Sequence, residues 1–424
     1  MNTKKIKLAV IGLGYVGLPL AVEFAKKRSV IGFDIKLERI KELKNGIDKT
    51  LELERKEITQ AKKLFLTNDE RDLKSANCYI VTVPTPINKK KKPDLTPLIN
   101  ASKIIGKVLK KKDIVIYEST VFPGCTEDKC VPILERYSKL RYNKDFYCGY
   151  SPERNNPGDK KNKIYNIKKI TSGSNKNAAS IVDNLYREII KVGTYKSPSI
   201  KIAEAAKVIE NTQRDINIAF MNELSIIFDK MNIDFNEVLN AAKSKWNFLP
   251  FRPGLVGGHC IGIDPYYLIH RAQTVGQNPK LISSARRIND KMGDYIASKF
   301  LKKLNEKSIL VKNSKILILG LTFKENCTDL RNSGIKNVII NLIAHKCKLD
   351  LYDPWVSKIE VQKIYGVKPV KRFVLGKYDG IIIGVAHDYF KKMGIKYIKS
   401  LGKKNSLVFD VKSIFPKNLS DLTL

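Results

Sequence analysis

The sequence is poor in the residues that build metal sites and disulfide frameworks. It has four histidines, scattered along 424 residues, and seven cysteines at irregular spacings. An odd count argues against a closed set of disulfides. Cys125 and Cys130 lie close together, but no second pair follows at zinc-ligand spacing. No metal is expected, and the thiols read as reduced and buried, with Cys260 alone in a different setting. Also missing is any run near the roughly 18 to 20 apolar residues needed to cross a bilayer. The first residues lead into a strand-like stretch without the features of a secretory leader, so a cytoplasmic protein without membrane contact is expected.

Acidic residues are scarce too. Against 78 Lys and Arg stand 42 Asp and Glu, a formal net charge of +36. Such an excess suits a nucleic-acid or membrane-surface binder, or the steering of an anionic nucleotide. The excess is mostly Lys, spread in short runs such as positions 89–92 and 110–112. No basic helix or aromatic-interleaved patch stands out, so the charge reads as a solvated surface and no nucleic-acid partner is expected.

With 43% hydrophobic residues, the chain can bury the cores of two or three domains. Short apolar runs at 7–12, 30–34, 79–83, 114–118 and 146–150 alternate with amphipathic stretches, as in βαβ units on a parallel sheet. A segment without Gly or Pro, 200–231, reads as one helix about 48 Å long. The α/β rhythm restarts at 315–320, 348–352, 380–385 and 407–411. The expected fold is α/β, with two Rossmann-like doubly wound domains joined by a long central helix.

Gly12-Leu13-Gly14-Tyr15-Val16-Gly17 follows the first strand and opens a helical stretch. Gly12 permits the tight turn, Gly14 lets backbone approach a pyrophosphate, and Gly17 allows close helix–sheet packing. The phosphates would sit at the helix N-terminus. Asp34, about 20 residues on, can take both ribose hydroxyls and repels a 2′-phosphate, which favours NAD over NADP. Arg39 could stack on the adenine or lie exposed on its helix. The turn after the later strand, from Gly320, lacks the full fingerprint and is expected to bind something other than a dinucleotide.

The stretch from Phe251 to Pro265 holds Gly254, Gly257, Gly258 and Gly262 around His259-Cys260. Glycines let backbone wrap a ligand and present the thiol uncrowded. Asp264, four residues after Cys260, would share its face if the segment becomes helical. A papain-like pair with His259 is disfavoured, since adjacent residues rarely aim at each other. A thiol beside a nicotinamide can trap an aldehyde as a thiohemiacetal, which permits a second oxidation to a thioester that water then cleaves. Lys207 and Asn211, spaced i, i+4, could hold a developing oxyanion on one helix face, though such a pair is often only a solvated surface. A single-step hydroxyacid-type dehydrogenase would leave the Cys260 loop and the last domain without a purpose.

Four stretches together carry a resemblance: the glycine fingerprint, Ala203-Glu204-Ala205-Ala206-Lys207 with Asn211, the loop ending at Cys260, and Phe323-Lys324 with Asp329 and Arg331. The chain resembles the UDP-glucose/GDP-mannose dehydrogenase family over nearly its whole length. Within the family it is most similar to the UDP-N-acetylhexosamine branch, through the stretches from Tyr117, Tyr150, Lys245 and Tyr352. The resemblance implies NAD-dependent four-electron oxidation of the C6 hydroxyl of a UDP-N-acetylhexosamine, foremost UDP-N-acetylglucosamine, for surface polysaccharide synthesis in a capsule. The galactosamine and mannosamine isomers and UDP-glucose are the alternatives.

The resemblance further implies Cys260 as nucleophile, Lys207 and Asn211 as oxyanion stabilisers, and Asp264 as a proton-transfer aid. Glu153 and Thr120 would position or activate the hydrolytic water. Gly12, Gly14, Tyr15, Val16, Gly17, Asp34, Arg39, Thr85, Thr120 and Arg331 would contact NAD. Glu153, Lys207, Asn211, Phe248, Arg252, Gly257 and Lys324 would contact the UDP-sugar. Three segments are implied: an NAD-binding domain at 1–197, a central helical dimerisation and catalytic region at 198–300, and a UDP-binding domain at 301–424. A homodimer follows. His259 before the thiol and the longer loop at Phe251-Arg252 depart from the UDP-glucose pattern and suit a bulkier 2-acetamido sugar.

Overall fold

The computed structural model describes residues 5–153, 164–258 and 261–424. The chain packs as two compact units, one of 1–210 with 266–278, the other of 211–265 with 279–424. Each holds one sheet.

The first sheet has eight strands: β1 (Leu8–Ile11), β2 (Val30–Phe33), β3 (Leu64–Thr67), β4 (Cys78–Val81), β5 (Ile114–Tyr117), β6 (Tyr147–Tyr150), β7 (Lys169–Gly173) and β8 (Thr194–Lys196). Their order is β3-β2-β1-β4-β5-β6-β7-β8. Pairing is parallel from β3 to β6, antiparallel between β6 and β7, and parallel again to β8. The central strands β1, β4 and β5 are buried at every position, as apolar strands covered on both faces should be. Leu8 and Val10 pack with Ile80, Ile116, Phe24, Val182 and Leu185 into one core.

The second sheet comprises β9 (Lys315–Leu319), β10 (Lys348–Tyr352), β11 (Tyr378–Ile383), β12 (Gly402–Asp410) and β13 (Leu422–Thr423), ordered β10-β9-β11-β12-β13 and parallel throughout. The two-residue period of a strand divides its side chains between two cores. Ile316, Ile318, Ile382, Leu407 and Phe409 join one, and Leu317, Leu319, Ile381, Ile383 and Val408 the other. Both sheets are the doubly wound α/β type expected from the sequence.

The long helix runs Ile200–Lys230, ending one residue short of the expected span. A second long helix, Lys280–Glu306, was not expected. The sequence reading also left out β3, β7, β8 and β13, which are short or polar. In the second unit, the two long helices share a buried polar network. Arg286 Nη1 lies 2.5 Å from Asp215 Oδ1, Asn289 Nδ2 donates to the same oxygen at 2.7 Å, and Asn222 Nδ2 donates to Asn289 Oδ1 at 2.8 Å. Arg286 and Asp215 are both buried. Burial raises the Asp215 pKa, and the Arg286 guanidinium opposes that shift.

Removing one partner of a buried pair leaves a charge without compensation, which costs about 3–5 kcal/mol. Arg286→Met is therefore expected to lower the thermal midpoint sharply, measured by calorimetry at neutral pH. Lys302→Met, which cuts an exposed pair with Glu306, should change it by little.

Candidate active site

In the first unit the glycine turn has a backbone geometry that would let a phosphate approach. Gly12 has φ +93°, and its amide donates to Phe33 O at 2.8 Å. A Cβ on Gly17 would fall 1.8 Å from Gly12 O, so only glycine allows this helix to start so close to the strand. A Cβ on Gly14 would meet nothing within 4 Å, which leaves backbone open to a ligand. Helix Gly17–Ala25 has no acidic residue in its first turn, so its positive end is uncompensated there. Tyr15 and Val16 are half-buried beside it.

Asp34 follows β2, and its Oδ2 accepts the Leu13 amide at 2.9 Å. Its carboxylate thus borders the turn where a ribose would lie. These features fit a dinucleotide. Arg39 is half-buried rather than exposed: its guanidinium donates to Leu13 O at 2.9 Å and pairs with Asp48 at 2.8 Å, tying its helix to the turn.

Thr85 and Thr120 sit in the loops after β4 and β5, both half-buried. Tyr267 Oη donates to Thr85 O at 2.9 Å and to Pro86 O at 3.2 Å. Phe122 meets Tyr267 and His270, with centroids 6.5 and 5.6 Å apart. Helix Asp264–Thr274, through its part in this unit, is thereby docked on both loops. Glu204 is fully buried and accepts the Gly124 and Thr126 amides at 2.5 and 2.9 Å, which fixes the segment after Thr120. Burial pushes its pKa up to about 7, against those hydrogen bonds. Lys207, one helical turn further on, is also buried.

Glu153 follows β6 and is 6% exposed. Its Oε2 lies 2.5 Å from Lys169 Nζ, which also reaches Glu118 Oε2 at 2.9 Å. Tyr186 Oη donates to the other oxygen of Glu118. Burial pushes Glu118 up to about 7, with Lys169 pulling it down and Glu153 pushing it further up. Burial would lower Lys169, but the two carboxylates outweigh it and raise its pKa.

In the second unit, Asn211 Nδ2 donates to Asp264 Oδ2 at 2.5 Å, both buried. The pairing was not foreseen, though both residues were. The glycine loop is clamped by Asn222, which accepts the Gly254 amide at 2.7 Å and donates to Gly254 O at 3.1 Å. Gly257 and Gly258 lie against the turn that carries Lys324: a Cβ on Gly257 would sit 2.5 Å from Asn332 O, and one on Gly258 2.6 Å from the Phe323 ring. Phe248 packs against the small cluster of Met221, Phe235 and Leu239. Arg252 is exposed. Arg331 is also exposed and holds Asp329 through two hydrogen bonds at 2.9 and 2.8 Å. Cys260, with His259, lies outside the described residues, as do Arg154 and positions 155–163.

The turn bearing Lys324 has a support that sequence reasoning missed. Fully buried His387 takes the Asn326 amide on Nδ1 at 2.9 Å, which leaves Nε2 to donate to Asp353 Oδ2 at 3.0 Å. Asp353 Oδ2 also accepts the Leu321 amide at 2.7 Å. Lys169, Glu118, Tyr186, Glu204 and Asn222 were missed as supports too. The available signals were Glu118 directly after an apolar strand and Glu204 one turn before Lys207. The other six cysteines are free and buried, as expected. Among the described residues no group of His, Cys, Asp and Glu could hold a metal.

Residues 6–190, 201–291 and 317–417 match, in order, the NAD-binding, central and UDP-binding domains of the UDP-glucose/GDP-mannose dehydrogenase family. The chain is 56% identical over 421 residues to the UDP-N-acetyl-D-glucosamine 6-dehydrogenase of Pseudomonas aeruginosa, covering 99% of this chain and 100% of that one. It is also 56% identical over 420 residues to the Salmonella typhi enzyme of the same name, with 99% of each covered. The solved UDP-D-ManNAc dehydrogenase of Pyrococcus horikoshii superposes with a TM-score of 0.87 at 31% identity, covering 97% of this chain and 96% of that one.

NAD is the cofactor of the first domain, and the Asp34 carboxylate beside the glycine turn is the group expected to choose it. Hydrogen bonds to a charged group contribute about 1.5–3 kcal/mol, or roughly 10- to 150-fold in affinity. Asp34→Ala is expected to raise the KM for NAD by at least about tenfold and to raise NADP use relative to NAD. Steady-state kinetics with both cofactors reads this directly.

Proposed function

The chain belongs to the UDP-glucose/GDP-mannose dehydrogenase family, and we propose that it oxidises C6 of UDP-N-acetylglucosamine to the carboxylate, supplying a uronic acid for a surface polysaccharide. End-to-end identity of 56% with two enzymes named for that sugar carries this choice of substrate. UDP-N-acetylgalactosamine, UDP-N-acetylmannosamine and UDP-glucose are the alternatives, since one inverted hydroxyl can be read by a single side chain.

The turn from Gly12 to Gly17, Asp34 and the loops of Thr85 and Thr120, with Arg331 contributing, would hold NAD, which when bound would supply the hydride acceptor for each of two oxidations. The alcohol, two NAD+ and one water give the carboxylate, two NADH and three protons. After the first oxidation the Cys260 thiolate adds to the aldehyde carbon as a thiohemiacetal. Lys207 and Asn211 stabilise the oxygen on which charge develops. Asp264 accepts a hydrogen bond from Asn211 and so holds that amide ready to donate. In the last step water adds to the thioester carbon, its proton passes to Glu153, and the C–S bond breaks to return the thiolate. Thr120 helps hold that water. Lys324, Phe248, Arg252 and Gly257 serve the UDP-sugar.

The functional segments follow the family's order: 1–197 for NAD, 198–300 as the central dimerisation and catalytic region, and 301–424 for UDP. A homodimer is supported by exposed apolar residues on the long helix, where Ile202, Ile209, Phe220 and Ile227 are 43–54% exposed. Cytoplasmic action is supported by the cofactor and by the lack, among the described residues, of any helix long and apolar enough to cross a membrane.

The test is NADH released per sugar consumed, with UDP-glucose and the three UDP-N-acetylhexosamines, for the wild type and Cys260→Ser. Two NADH per UDP-N-acetylglucosamine, with the variant unable to complete the reaction, is expected. One NADH from every active sugar, or an unimpaired variant, refutes the proposal.

A further inference from the structure

The mechanism uses Glu153 but gives no task to the buried groups behind it. Lys169 is the first residue of β7 and is 3% exposed. Its ammonium lies between Glu153 and Glu118 and stands 5.2 Å from the centroid of the Tyr186 ring. Glu118 is in turn held by Tyr186 Oη. The ammonium has three protons; two carboxylates and the face of an aromatic ring surround it. An ion trio of this kind is expensive to bury, and a packed apolar side chain would serve a purely structural purpose as well.

We propose that Lys169 is a positioning residue for the hydrolytic step, fixing the Glu153 carboxylate through their ion pair so that it is held in place for the water. Glu118 and Tyr186 keep Lys169 in place. This inference rests on the reading of Glu153 as the residue that takes the proton of the water. Among the described residues, the titratable groups set around the pair are Glu118 after β5 and Tyr186 on helix Lys176–Arg187, with Cys78 of β4 behind Tyr186. Asp183, on the same helix, is engaged by Thr171 and Arg187.

The experiment is a single turnover with excess NAD and radiolabelled UDP-N-acetylglucosamine, following the decay of protein-bound label at pH 7. Misplacing a catalytic group can cost about 100-fold in rate, so Lys169→Met is expected to slow that decay at least about tenfold, with Lys169→Arg restoring most of the rate. Unaltered decay in Lys169→Met, while Glu153→Gln slows it, would overturn the role of Lys169 and leave that of Glu153 intact. Unaltered decay in Glu153→Gln would overturn the reading of Glu153 itself. If Lys169→Met does not fold, Lys169→Met with Glu118→Gln buries one charge fewer and must show the same slowing; an unslowed decay contradicts the proposal.

Discussion

Parallel pairing in level register is the constraint on which the first unit depends. Leu8 pairs with Cys78, Cys78 with Ile114, and Ile114 with Tyr147, so four neighbouring strands begin and end together. The residues that follow them leave the sheet along one edge: Gly12 after β1, Thr82 after β4, Glu118 after β5 and Ser151 after β6. The turn for NAD, the loops of Thr85 and Thr120, and Glu153 all descend from that register. In an open parallel sheet, this carboxyl edge is where ligands bind. The one reversal, at β7, serves the same edge. Tyr150 pairs with Ser172 and Gly149 with Gly173, and the same register carried onward sets Glu153 opposite Lys169. A strand entering from the other direction delivers its first residue where the parallel strands deliver their last.

Polar groups brought to such edges must be satisfied within the protein, and the structure does so with side chains outside the chemistry. Asp34 and Arg39 hold Leu13 from its amide and carbonyl sides. Glu204 takes two amides of the segment beyond Thr120, and Asn222 clamps Gly254 in both directions. His387 and Asp353 divide between them the amides at the two ends of the Lys324 turn. Each of these ties fixes backbone next to a residue proposed to touch a ligand, so pre-organisation rests on buried hydrogen bonds as well as apolar packing.

The fold was legible where the code is local. The apolar strands β1, β4, β5 and β9 and the long uninterrupted helix follow from period and composition. The glycine turn follows from the steric demands of its three glycines. Strands β3 and β7 were not legible: β3 follows two lysines and is only half covered, and β7 opens on a lysine in a polar stretch. Such a stretch becomes a strand only because the sheet beside it offers partners. The same limit applies to the site. Asn211 and Asp264 were each identified, but their hydrogen bond spans 53 positions and no pattern in the chain announces it. For Arg39 an exposed position on its helix was one reading, whereas Asp48, whose carboxylate also gathers the amides of Thr50, Glu52 and Leu53, pairs with it and half-buries it. A residue's type is local, but its partner depends on the finished fold.

In the proposed chemistry the sugar is covalently attached to Cys260 from the end of its first oxidation until its release. Acid-quenched turnover of UDP-N-acetylglucosamine with NAD, followed by peptic digestion and peptide mass mapping, tests it most directly. A sugar-nucleotide adduct is expected on the peptide that contains Cys260, absent when Cys260 is replaced by Ser. Two NADH per sugar with no adduct on that peptide, or an adduct at another residue, would contradict it.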